Sequence, residues 1–120
     1  MRRFLSSAAF ILIASSNVHA TEALFFNGGD YTIEILIGMA PDPVVAQVHF
    51  TPPGATEWVS LPHDLLHVEK FDMKKRILIM RFSNKGDQKL PASFSLSVKQ
   101  TKAILSISGK EIKSEFNWDI

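Results

Sequence analysis

Alternation narrows the fold of this chain more than any other feature. From Tyr31 onward, apolar and polar residues trade places over stretches of about eight, and clusters of Gly, Pro, Asn and Asp close each stretch. A period of two places every second side chain on one face, which is the pattern of strands with one face buried. In Tyr31 to Gly38, Tyr31, Ile33, Ile35 and Ile37 share a face, with Thr32 and Glu34 opposite. Val44 to Thr51 repeats the design, with Val44, Ala46, Val48 and Phe50 expected inward and Gln47, His49 and Thr51 outward. Pro52-Pro53-Gly54 then suits a type II turn.

Further along, Thr56 to Ser60 is a short piece carrying Trp58, and Leu61 to Phe71 is ambiguous. Leu61, Leu65 and Val68 fit a helical face, whereas Leu66 and Val68 fit a strand, which is the reading taken here. Arg76 to Ser83 is apolar on both sides and is expected to be a central strand covered twice. Ala92, Phe94, Leu96 and Val98 face inward against serines. Hairpins are expected at Gln100-Thr101 and at Ser108-Gly109-Lys110. The last strand turns Ile112, Phe116, Trp118 and Ile120 inward, with Lys113, Glu115, Asn117 and Asp119 outward. About seven strands in this length predict an all-β, immunoglobulin-like two-sheet sandwich, with a small closed barrel as the alternative.

Residues 1–20 are set apart from that pattern. Arg2 and Arg3, an apolar run from Phe4 to Ala14, and Val18-His19-Ala20 have the layout of a secretory signal peptide cut after Ala20. The apolar run is too short to span a bilayer core of about 30 Å. The expected mature domain is residues 21–120, exported to the periplasm or beyond, with no transmembrane segment. A chain of that size makes one domain with a single core. It has no cysteine, so packing alone must hold it, and thiol catalysis, thiolate metal clusters and a lipidated cysteine are excluded. Without Arg2 and Arg3, 11 basic residues face 12 acidic ones, and Lys74-Lys75-Arg76 is the one basic run. That balance points to no nucleic-acid partner.

Candidate chemistry is sparse. His63-Asp64-Leu65-Leu66-His67 spaces two imidazoles four apart, which on a helix converge on one metal ion. On a strand, positions 63 and 67 lie about 13 Å apart, too far to share an ion. His49 or Glu69 would have to complete the set through the fold. The mature methionines Met39, Met73 and Met80 are scattered, without the close Met or His pairs of a copper site. Ser106-Ile107-Ser108-Gly109 lacks the first glycine of a nucleophile elbow. Ile104 and Glu111 stand where a phosphate loop needs glycine and a hydroxyl. No catalytic or cofactor-binding residue is assigned.

The expected function is therefore a non-catalytic module that binds or inhibits another protein. The alternatives are a small metal protein or hydrolase using His63 and His67, and an assembly subunit of a surface structure. Loops are the default contact points of a rigid sandwich. Three stand out: Pro41-Asp42-Pro43, Pro52 to Gly54 with Trp58, and Asn84 to Lys89. Pro53, Trp58 and Lys85 are the candidate partner-binding residues, and Trp58 fits a core position equally well.

Overall fold

The computed structural model describes residues 21–119, so the leader assigned to residues 1–20 and the inward position of Ile120 lie outside the described residues. Nine strands follow one another: β1 (Thr21–Gly28), β2 (Tyr31–Gly38), β3 (Val44–Thr51), β4 (Val59–Ser60), β5 (Leu66–Asp72), β6 (Ile77–Phe82), β7 (Phe94–Lys99), β8 (Lys102–Ile107) and β9 (Lys110–Glu115). The first four form one antiparallel sheet in the order β1-β2-β3-β4, and the other five a second in the order β9-β8-β7-β6-β5. The sheets pack face to face as a sandwich and do not close into a barrel. Each sheet is a meander in which sequence neighbours are also spatial neighbours. Immunoglobulin strand order, by contrast, shares consecutive strands between the layers.

The alternation explains the core. Leu24 and Phe26, Ile33, Ile35 and Ile37, and Val48 and Phe50 face Leu78, Met80 and Phe82, Phe94, Leu96 and Val98, and Ala103, Leu105 and Ile107. Three two-residue hairpins hold the meanders in register, pairing Gly28 with Tyr31, Lys99 with Lys102 and Ile107 with Lys110. Ser108 and Gly109 both take positive φ, at 51° and 74°, as the right-handed twist of a two-residue hairpin requires.

Six expectations need correcting. Ala92, expected inward, is exposed ahead of β7. β1 completes the strand set, which exceeds the expected seven; its adjacent Phe25 and Phe26 hide the alternation, although only Phe26 is buried. In β3 a bulge shifts the register, so Ile37 pairs with Val45 while Leu36 pairs with Gln47. The extra residue, Ala46, reverses the phase. Val44 is consequently exposed, Ala46 too, and Val45 takes the half-buried place. β6 is covered on one face, with Leu78, Met80 and Phe82 buried, while Ile77 and Ile79 on the other face stay half-buried. Residues 61–71 divide between a 3-10 turn, His63–Leu65, and the strand β5.

The last strand ends at Glu115. Phe116 and Trp118 are still buried, because backbone carbonyls of the β7–β8 turn hold the tail. Phe116 N–H donates to Thr101 O at 2.8 Å, and Trp118 Nε1–H to Gln100 O at 2.6 Å. Trp118 packs on Phe116 and Phe71, which closes that end of the sandwich.

Candidate functional site

On the outward face of the four-stranded sheet, the register aligns Phe25, Glu34, His49 and Ser60 in one row across β1 to β4. Glu34 Oε1 lies 2.9 Å from His49 Nδ1. A carboxylate accepts, so Nδ1–H donates and the tautomer is fixed. Trp58, just before β4, lies flat on the imidazole with ring centroids 3.7 Å apart and planes within 6°. His49 therefore points outward, as the alternation predicts, yet is only 8% exposed, because the indole roofs it. Trp58 itself is 54% exposed.

The stack has one unpaid polar atom. His49 Nε2 is buried with no hydrogen-bond partner among the described residues. An unsatisfied buried group of this kind costs about 1–3 kcal/mol. The Glu34–His49 pair and the indole together hold the imidazole in place. The physical effect is to fix a large aromatic ring in one orientation at the surface. Phe25, 45% exposed, occupies the same row.

The loops singled out in the sequence are placed as follows. Pro53 is exposed in the turn closed by Ala55 N–H to Pro52 O at 3.2 Å, with Gly54 at φ 80°, the geometry of a type II turn. Lys85 is exposed in the loop after β6, which is ordered by the Asn84 side chain. Asn84 Oδ1 accepts from Gly86 N–H and Asp87 N–H at 2.8 Å each, and its Nδ2 donates to Asp87 O at 2.9 Å and Pro91 O at 2.8 Å. These two loops share one end of the sandwich, because Phe50 and Phe94 at their roots stack at 5.3 Å. The loop at 41–43 joins the other ends of β2 and β3.

His63 and His67 diverge. His63 Nε2 donates to Ala46 O of β3 at 3.2 Å, whereas His67 stands opposite Arg81 on the outward side of the five-stranded sheet. Asp64, Leu65, His67, Arg81, Ser83 and Lys85 line a shallow cavity of about 250 Å³ there. The other candidate ligands are engaged elsewhere, His49 by Glu34 and Glu69 by Arg81. Among the described residues, no group of three or more His, Cys, Asp or Glu is placed to hold a metal ion.

Charge is divided between the layers. Residues 21–60, which build the four-stranded sheet, contain five acids and neither Lys nor Arg, while residues 66–115 contain eleven Lys and Arg against five acids. A windowed charge count reveals this split in the sequence, and the near-neutral total hides it. The Glu34–His49–Trp58 stack had no such signal, because it depends on strand register and on a loop folding back.

The chain matches no family model, and comparison with curated proteins and with solved structures also finds no match.

Proposed function

We propose that this is an exported, non-catalytic module that binds another protein, with Trp58 as the anchor of the contact. The reading rests on the Trp58 stack. Tryptophan is enriched at binding hot spots, and an exposed ring already held in one orientation has less freedom to lose on association. Phe25 extends the apolar contact, and Pro53 borders Trp58 on the same loop. Cleavage after Ala20 leaves the nine strands of the described residues intact, which is compatible with an exported mature domain.

The test compares the native chain with Trp58→Ala in capture from an envelope extract. The partner should be retained by the native chain and lost with Trp58→Ala, while both variants keep the same thermal unfolding midpoint within a few degrees. Retention of the same partner by Trp58→Ala would refute the assignment. Intact mass of the protein recovered from an exporting host checks the cleavage between Ala20 and Thr21.

A further inference from the structure

The other broad face has a different character. On the outward side of the five-stranded sheet, the register sets three rows: Lys70, Ile79, Ser97, Ile104 and Lys113; Asp72, Ile77, Lys99, Lys102 and Glu115; and His67, Arg81, Ser95, Ser106 and Glu111. The centre is half-buried Ile and Ser, and the cations stand around it. Two of the cations are neutralised locally, Lys102 by Glu115 at 2.6 Å and Arg81 by Glu69. Lys70, Lys99 and Lys113 have no ion-pair partner among the described residues. Lys74 and Lys75 in the β5–β6 turn, and Lys110 at the opposite end, extend the basic character along the layer, while Arg76 is paired with Asp119 at 3.8 Å.

We propose that this face docks on an anionic lipid surface. Charge complementarity carries the inference: the three rows hold five cations against three acids, Lys74 and Lys75 adjoin them in the β5–β6 turn, and the layer behind has no Lys or Arg from residue 21 to 60. Packed sheets lie about 10 Å apart, and their outward side chains are farther apart still. The Debye length in physiological salt is about 8 Å, so a surface meets one layer's charge and is screened from the other's. Lysines on flexible stems suit a diffuse array of headgroups. Nucleic acid fits less well, because these rows contain no Phe, Tyr or Trp and His67 at one corner is their single ring on which a base would stack. A second copy fits less well too, since the outward row of the four-stranded sheet carries one acid, Glu34, already paired with His49. Docked this way, the molecule turns Trp58 toward solvent.

The proposal is independent of Trp58 binding a partner. It is tested by co-sedimentation of the full chain with vesicles of phosphatidylcholine alone and with added phosphatidylglycerol, at low and high salt. Binding should require the anionic lipid and weaken with salt. Lys70→Gln with Lys99→Gln and Lys113→Gln should lower the affinity at least tenfold, while Asp42→Asn with Glu57→Gln should not. Residues 2–14 are basic and apolar and common to every variant, so the difference between variants reports the sheet face alone. Equal binding to neutral vesicles, or an unchanged affinity of the triple variant, overturns the proposal. Tighter, lysine-dependent binding to an oligonucleotide, or salt-sensitive self-association without vesicle binding, overturns it in favour of those partners.

Discussion

Phe94→Ala tests the packing on which both faces depend. Phe94 is 4% exposed, and its ring centroid lies 5.3 Å from Phe50 in the opposite sheet and 5.6 Å from Phe82 beside it. Truncation removes contacts within one layer and between the two, and the neighbouring rings are fixed in strands that cannot readily close the gap. The expected cost is about 3–5 kcal/mol, combining lost burial with an unfilled cavity. For a domain this size the total is ~5–15 kcal/mol, so roughly a fifth or more of the stability disappears. With a urea slope of ~1–3 kcal/mol/M, the unfolding midpoint should fall by roughly 2 M. Ser95→Ala, one residue on and facing outward, should move stability by no more than about 0.5 kcal/mol. Urea titration followed by tryptophan fluorescence measures both. If Ser95→Ala proved as costly as Phe94→Ala, the register of β7 would be off by one residue, since a one-residue slip exchanges the faces of a strand.

Two further outcomes follow from local geometry. Gly29→Ala should destabilise by roughly 1–3 kcal/mol in the same titration, because Gly29 has φ 55° and a Cβ there would meet Ile112 at 3.0 Å; a neutral result would mean that this hairpin is held differently. Asp72 Oδ1 accepts from Lys75 N–H at 2.9 Å, which holds its carboxyl below the ordinary value of 3.8. A depressed folded pKa stabilises above the unfolded pKa, and that stability is lost as pH falls through the folded one. The deficit of Asp72→Ala against the native chain should accordingly be present at pH 7 and shrink below about pH 3.8, and a deficit that persisted in full through acid would refute the role.

The inner faces were legible in the sequence because burial on one face of a strand imposes a period of two. Phe94, Leu96 and Val98 show it without interruption. What escaped were features that break the period or need a third dimension. The bulge at Ala46 adds a residue without any marker such as glycine, so Val44 and Ala46 kept an inward phase they do not have. The isoleucines of β6 looked doubly covered, since sequence shows the apolar character of a side chain and not whether another layer exists to cover it. Trp58 was undecidable for a related reason. Its place depends on His49, nine residues earlier and on another strand, meeting it face to face.

Connectivity then turns a sequence asymmetry into a surface one. Because β1 to β4 form one sheet and β5 to β9 the other, each outward face is written by a contiguous half of the chain. The absence of Lys and Arg from residue 21 to 69 is thus an absence from one whole sheet. Had consecutive strands been shared between the layers, as in immunoglobulin order, the same sequence would have spread both charges over both faces. The meander keeps them apart. It leaves the Trp58 stack on a layer with no lysine or arginine, while the cations gather where the outward centre holds only serine and half-buried isoleucine.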